Sequence, residues 1–182
     1  KVVLTQPEDH MNEIIIYGTC YGSAKRYADE LAVRTGAPCI SYENAGDLNA
    51  YDRIVYIGAL YAGGVLGMKA TLGTLKNRES KQIVIATVGL ADMTDEENIG
   101  NIRAAMKRQL PAGMMERAKL VHLRGGIDYS AISGKHRFMM KLLYEKAKKL
   151  PPEKQTAEVR AMIDTYGQAV DFVDLSRVDE LM

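Results

Sequence analysis

The sequence predicts an α/β domain of three layers, in which a doubly wound, five-stranded parallel sheet carries helices on both faces. Two observations predict it. Short runs of apolar and β-branched residues alternate along the chain with segments of helical periodicity. These runs have the length of strands and lack polar alternation, which is typical of parallel strands buried on both faces. Parallel strands need crossover connections, and the helical segments between the runs supply them.

The first half of the chain contains three predicted strands and two predicted helices. The apolar run over 13–17 forms the first strand, and a small-residue loop follows it. Apolar residues recur at helical spacing over 24–34, and Gly36 ends this helix. The remaining elements of this half, in order, are strands over 38–42 and 52–58, a loop over 59–64 and a helix over about 66–76.

The second half supplies the last two strands. The run over 82–88 is the fourth strand. Thr94 and Glu97 stand three residues apart in a capping-box pattern, which predicts that a helix begins at Thr94. Pro111 breaks this helix just after Leu110. The next elements are a short helix over 113–118 and the fifth strand over 119–124.

A basic amphipathic helix is predicted over 135–150. We expect its apolar side chains to be buried and its basic ones to form a solvated outer face, the alternative being a surface for a membrane or a partner. The apolar residues are Phe138, Met139, Leu142 and Leu143, and the basic ones are Lys135, Arg137, Lys141, Lys146, Lys148 and Lys149.

Three segments divide the chain. We expect residues 1–10 to be an added or disordered leader, because the apolar pattern begins only after Met11. Residues 11–150 form the α/β domain. Residues 151–182 are polar with weak helical periodicity, and we expect a helical extension that packs on the same domain or trails from it.

Composition excludes several classes of function. The charge is nearly balanced, with 24 Lys and Arg against 23 Asp and Glu, whereas a nucleic-acid binder needs a basic excess. The apolar runs are too short to cross a membrane, and no signal peptide is visible, so we expect a cytoplasmic protein. Cys20 and Cys39 are expected to be reduced thiols, and the scattered histidines have no partner at metal-ligand spacing.

The loops at the carboxyl ends of the strands are the expected binding site, since ligands of open parallel sheets bind there at the switch of strand order. The loop between the first strand and its helix is rich in small residues. Its unpaired N–H groups and the helix dipole favour an anion, and Thr19 and Ser23 add hydroxyls. We predict a phosphate here, although the spacing matches neither a P-loop nor the three-glycine dinucleotide fingerprint. A turn without a ligand is the alternative.

Residues 15–28 resemble the phosphate-binding loop of flavodoxins, in which a strand is followed by Ser/Thr-x-Thr-Gly-x-Thr and a helix. The resemblance implies an FMN cofactor and the strand order 2-1-3-4-5. It places Thr19, Cys20, Tyr21, Gly22, Ser23 and Ala24 around the phosphate. Tyr21 and Ala24 stand where the family has threonines, so backbone amides would carry the phosphate. At this helix N-terminus the thiol pKa of Cys20 is expected to be low.

Two further segments resemble the loops that contact the flavin ring in this family. Residues 52–64 resemble the third-strand segment, which places Ala59, Leu60, Tyr61, Ala62 and Gly63 against the ring. Tyr61 would be the nearest aromatic side chain, the alternative being a core tyrosine. The second flavin loop would contain Thr87, Val88, Gly89 and Asp92. This loop has no aromatic residue, and Asp92 is alternatively a turn residue.

Residues 123–130 and 135–143 resemble a narrower group, the flavodoxin-like proteins related to FMN-dependent protoporphyrinogen oxidase. In that group a Gly-x-x-x-Tyr turn precedes a basic, Met-rich helix, as it does here.

The resemblance implies an FMN-dependent redox protein, either an electron carrier with a redox partner protein or an oxidoreductase with a small-molecule donor or acceptor. The near-neutral charge favours an oxidoreductase or a specialised carrier, because low-potential flavodoxins are usually acidic. No general acid or base is evident, and Tyr61 and Tyr129 are the only candidates near the site. The alternative is a binding or regulatory module with weak or no FMN affinity.

A phosphorylation receiver shares this strand order and is excluded. Receivers need an acidic cluster after the first strand and an aspartate after the third. This chain has Gly18, Thr19 and Cys20 at the first place and Gly58, Ala59 and Leu60 at the second.

Overall fold

A parallel sheet lies at the centre of the molecule. The computed structural model describes residues 11–182, so the predicted leader over 1–10 lies outside the described residues. The strands are β1 (Glu13–Gly18), β2 (Cys39–Ser41), β3 (Arg53–Tyr61), β4 (Gly64–Val65), β5 (Gln82–Gly89) and β6 (Lys119–Arg124). The order is β2-β1-β3-β5-β6, and β4 is a short antiparallel partner of β3. This confirms the predicted fold class and the order of the five parallel strands.

Side chains of the sheet alternate between two hydrophobic cores, because successive residues of a strand point to opposite faces. Ile14 and Ile16 of β1 lie in one core and Ile15 in the other. Tyr56 and Ile57 of β3 divide in the same way, and both are fully buried. Burial on both faces explains why these strands are continuous apolar runs in the sequence.

Helices cover both faces of the sheet. They are α1 (Ser23–Thr35), α2 (Met68–Thr71), α3 (Glu96–Lys107), α4 (Met114–Arg117), α5 (Gly134–Ala147) and α6 (Ala157–Thr165). Leu31 of α1 packs in the core that contains Ile15. Met106 of α3 packs in the core on the opposite face. Two antiparallel strands, β7 (Gly126–Asp128) and β8 (Ala169–Asp171), form a separate small sheet.

Two predicted helix boundaries are wrong. The helix expected over 66–76 is only the single turn of α2, which continues as a 3-10 turn over Leu72–Thr74 that contains Gly73, a poor helix former. Thr94 does not cap α3. Asp95 does, since its carboxylate accepts a hydrogen bond of 3.0 Å from the N–H of Asn98.

The third strand is longer than predicted, and it continues into a hairpin. β3 extends to Tyr61, so Ala59 to Tyr61 are strand residues instead of loop residues. Ala62 and Gly63 form a two-residue turn with φ of 49° and 78°. Two positive φ values give a turn whose twist matches the flanking strands. The usual Asn-Gly signal for such a turn is missing from the sequence, which explains the error.

The predicted burial of the apolar side chains of α5 is wrong for three of them. Phe138, Leu142 and Leu143 are 64%, 56% and 44% exposed. Met140 and Ala147 face the protein instead. The helix packs against α6 and contributes Met140 to a small third core with Ile127 and Tyr129, instead of lying flat on the sheet. Only a narrow stripe of its surface is therefore covered.

The segment after residue 150 is built into the fold. α6 packs against α3 and α5, and β8 pairs with β7. A last 3-10 helix, Leu175–Leu181, places Val178 and Leu181 in the same core as Leu31, where both are fully buried. The extension therefore contributes side chains to the core beneath α1.

Candidate functional site

The register of the sheet brings the predicted loops to one edge. Gly18 pairs with Gly58, and Gly58 pairs with Thr87. Gly89 in turn pairs with Arg124 at the ends of β5 and β6. The loops after these strands therefore lie side by side, beside the switch of strand order between β1 and β3.

The loop between β1 and α1 has the geometry of an anion-binding turn. The hydroxyl oxygen of Thr19 accepts a hydrogen bond of 2.9 Å from the N–H of Gly22. Gly22 precedes α1 with φ of 93°, and the space where its side chain would lie is open. The N–H groups of the first helical turn have no intrahelical acceptor, and the helix dipole adds partial positive charge. The Thr19 hydroxyl hydrogen and these amides are available to an anion.

Two residues predicted around the phosphate turn their side chains into the protein. The Ser23 hydroxyl accepts from the N–H of Gly126 at 2.9 Å and donates to the carbonyl of Gly126 at 3.3 Å. Ala24 is fully buried in the core beneath α1. The Ser23 hydroxyl and the Ala24 methyl group are therefore not available to a ligand.

Cys20 and Tyr21 are partly buried at the same edge. Burial raises the pKa of the Cys20 thiol, so the low thiol pKa expected from the helix N-terminus is wrong. The Tyr21 hydroxyl is buried, and within residues 11–182 it has no hydrogen-bond partner. The Tyr129 hydroxyl is also buried and also has no hydrogen-bond partner among these residues, and burial raises the pKa of Tyr129 to about 12. The Tyr21 hydroxyl lies close enough to the Cys20 thiol to interact with it, whereas the unpaired Tyr129 hydroxyl fits a polar ligand, because buried polar groups are normally paired.

The hairpin after β3 carries the second predicted group of residues. Ala59, Leu60 and Tyr61 are half-buried at the end of β3, and Ala62 and Gly63 are exposed in the turn. The Tyr61 hydroxyl lies 3.7 Å from the sulfur of Met139 on α5. Tyr61 is therefore a side chain of the edge instead of the core.

The third predicted group of residues begins inside β5, which extends to Gly89, so Thr87 and Val88 are strand residues. The Thr87 hydroxyl is bonded to Nδ1 of His122 at 2.7 Å, and Val88 lies in the core. The Asp92 carboxylate accepts from the N–H and the hydroxyl of Thr94, both at 2.9 Å, as a turn residue does. Gly89 is the residue of this group that faces the neighbouring hairpin: a side chain at this position would meet Leu60.

Sequence reasoning missed Glu158, which approaches this loop from the first turn of α6. Its two carboxylate oxygens accept from the N–H groups of Leu90 at 3.3 Å and Ala91 at 3.2 Å. Burial raises the pKa of Glu158, while these two bonds and the charge of Arg124 act in the opposite direction. No sequence signal pointed to it, because it is a polar residue in a weakly periodic segment that contacts the site only in three dimensions.

Arg124 was also missed, and it holds the same loop from the other side. Its guanidinium donates to the carbonyl of Leu90 at 2.9 Å and lies 3.8 Å from the ring centroid of Phe172. The loop after β5 is thus contacted by one basic and one acidic side chain.

FMN is the group that the predicted site implies. The first loop fits its phosphate, through the N–H groups at the start of α1 and the Thr19 hydroxyl. The unpaired hydroxyl of Tyr129 fits a polar ligand. In front of Gly89, however, Leu60 and the Glu158 carboxylate take up the space in this conformation.

Other features of the described residues lie away from this edge. A shallow cavity of about 200 Å³ lies between the segment 45–49 and the segment 70–75. Among residues 11–182 no cluster of three or more His, Cys, Asp or Glu is arranged to hold a metal ion. None of the helices over that range combines the length and the apolar character that a membrane crossing demands.

A comparison with protein-family models agrees with the family that the motifs suggested. The flavodoxin-domain family model matches residues 14–154, which is most of the chain. No curated protein matches it. Two of the similar solved structures are the Trp repressor binding protein from Bacillus subtilis and the Fusobacterium nucleatum flavodoxin bound to flavin mononucleotide. The first is 15% identical over 62% of this chain and 82% of that chain, with a TM-score of 0.41. The second is 13% identical over 65% of this chain and 72% of that chain, with a TM-score of 0.43.

Proposed function

We propose that this chain, which belongs to the flavodoxin-domain family, binds one FMN at the carboxyl edge of its sheet and acts as a redox protein. The observation that carries the proposal is the turn from Thr19 to Gly22, which leads into the unpaired N–H groups of α1. When bound, FMN supplies one- and two-electron chemistry. The protein's part is to bind and orient the cofactor.

Each residue would contribute to binding FMN through the groups that are not already bonded within the protein. Thr19 would donate its hydroxyl to the phosphate, and the unpaired backbone N–H groups at the start of α1 would supply the remaining donors. Tyr61 and the turn of Ala62 and Gly63 would border the ring on one side. The backbone of the loop from Gly89 to Asp92 would border it on the other, with Arg124 holding that loop in place.

The finer proposal is an FMN-dependent oxidoreductase of the kind related to protoporphyrinogen oxidase, or a specialised electron carrier. The resemblance over 123–130 and 135–143 and the nearly balanced charge support it. Its partner would be a redox protein or a small-molecule donor or acceptor. We also propose a cytoplasmic location, which the unpaired thiols of Cys20 and Cys39 support.

One observation favours the alternative, a flavodoxin-fold binding module with weak FMN affinity. The Glu158 carboxylate holds two amides of the loop that would border the ring. A ligand that needs these amides has to displace it, and the apparent affinity falls accordingly.

The visible absorbance spectrum of the purified protein, with and without added FMN, tests the proposal. We expect the two bands of oxidised flavin to stay with the protein through desalting after reconstitution. If no flavin is retained at micromolar concentration, the redox proposal fails, and the edge has to be assigned another ligand.

A further inference from the structure

Two consecutive backbone N–H groups converge on one carboxylate at the candidate site. The Glu158 oxygens lie 3.2 Å from the nitrogen of Ala91 and 3.3 Å from that of Leu90. This pair of donors is directed to an electron-rich acceptor at the edge of the sheet. In the described conformation the protein itself supplies that acceptor, from a helix more than sixty residues further along the chain.

The carboxylate is held there weakly. Both bonds are long for bonds to a charged acceptor, which are usually about 2.7–2.9 Å. The site is also costly for a charge, since burial raises the pKa of this carboxyl. The charge of Arg124 acts to lower the pKa of Glu158, but the Arg124 guanidinium donates to the Leu90 carbonyl instead of to the carboxylate.

The two ends of α6 are held by different contacts, although Ala157 and Thr165 are both buried. Its far end is fixed, because Tyr166 stacks on Tyr144 of α5 with a centroid distance of 3.9 Å. The end that carries Glu158 has an ion pair between Arg160 and Asp95 at 3.7 Å, and both side chains are substantially exposed. Exposed pairs of this kind contribute little. The segment 151–154 before the helix is exposed throughout.

We propose that Glu158 is an internal competitor of the flavin: its carboxylate occupies the Leu90 and Ala91 amides in the free protein and leaves them when FMN binds. The proposal rests on the proposed function and deepens it. It makes the free protein a mixture of a closed and an open site, so that the measured affinity for FMN is the intrinsic affinity reduced by the open fraction.

Glu158→Ala tests this directly, because it removes the competing acceptor. We expect the variant to bind FMN more tightly, on the order of tenfold, in a fluorescence-quenching titration. The affinity for riboflavin, which lacks the phosphate, should rise by the same factor, because the substitution changes the part of the site that borders the flavin ring. Glu153→Ala removes an exposed carboxylate from the same segment and should leave both affinities unchanged.

A second readout does not use flavin at all. In the free protein, the N–H groups of Leu90 and Ala91 should exchange with deuterium faster in Glu158→Ala than in the wild type, while the amides of β5 keep their protection. Glu158→Gln, which keeps the shape and one acceptor oxygen, should give an intermediate affinity and serves if the alanine variant does not fold.

The outcomes separate the two proposals. Tighter binding of FMN by Glu158→Ala than by the wild type, or binding of FMN by this variant alone, supports the proposal that Glu158 competes with FMN. If the folded variant binds FMN equally or more weakly than the wild type, the proposed competition by Glu158 is wrong, and the proposal that the protein binds FMN is unaffected. If neither wild type nor variant binds FMN, the proposed function fails and the competitor fails with it.

Discussion

Leu181→Ala is expected to destabilise the protein by about 3 kcal/mol, as a buried leucine does when it leaves a cavity. The side chain is fully buried in the core that also contains Leu31 and Val178. Its backbone carbonyl accepts a bond of 2.6 Å from Arg53, and Arg34 pairs with Asp179 in the same turn. These contacts hold the turn in place, so the cavity cannot collapse fully. The loss is a large part of the roughly 5–15 kcal/mol that stabilises a typical domain.

Urea unfolding followed by circular dichroism measures this loss. The midpoint should fall while the slope with urea stays unchanged, because the same surface is exposed on unfolding. Met182→Ala is the matched control: its side chain is 53% exposed, and it should change stability by less than about 0.5 kcal/mol. If Leu181→Ala costs as little as the control, the last turn does not belong to the core and the described packing of residues 175–181 is wrong.

Three further predictions concern pH, the hairpin and the phosphate. Burial, with the charges of Arg103 and Arg177, lowers the pKa of His122 to about 4, so the folded state binds fewer protons than the unfolded state below the ordinary histidine pKa. The free energy of unfolding should therefore fall as the pH drops from about 6.5 towards 4. The expected loss is roughly 2 kcal/mol, because the partial exposure of the ring reduces the effect. In unfolding titrations, His122→Gln should flatten this dependence on pH. Ala62→Asn should raise the free energy of unfolding by about 0.5–1 kcal/mol, because asparagine tolerates the positive φ of 49° better than alanine does. Ala62→Val should lower the free energy of unfolding. Equal stability of these two variants would contradict the turn geometry. Thr19→Val should weaken FMN binding about tenfold and leave riboflavin binding nearly unchanged in parallel titrations, and an equal loss for both ligands would argue against a phosphate contact.

The sheet could be predicted from the sequence because local and tertiary signals agree there. The runs that contain Ile14 to Ile16 and Ile54 to Ile57 are apolar at every position, and the structure buries both of their faces. Helical periodicity likewise found α1, whose face with Tyr27 and Leu31 lies against the sheet.

The errors occur where a distant part of the chain decides the outcome. The exposure of Phe138 and Leu142 follows from the packing of α5 on α6, which no periodicity within α5 reveals. The hairpin at Ala62 depends on backbone pairing between β3 and β4. Glu158 reaches the candidate site only because α6 packs beside α3, so local patterns in the sequence carried no trace of its contact with Leu90.

The central claim is that the carboxyl edge of the sheet binds FMN, and amide chemical-shift mapping tests it most directly. On titration with FMN, the amide resonances of residues 19–24 and 89–92 should shift with one common saturation curve. Those of residues 45–49, beside the cavity at the other end of the molecule, should stay in place. Shifts confined to other residues, or no shifts at saturating FMN, would contradict the assignment of this edge.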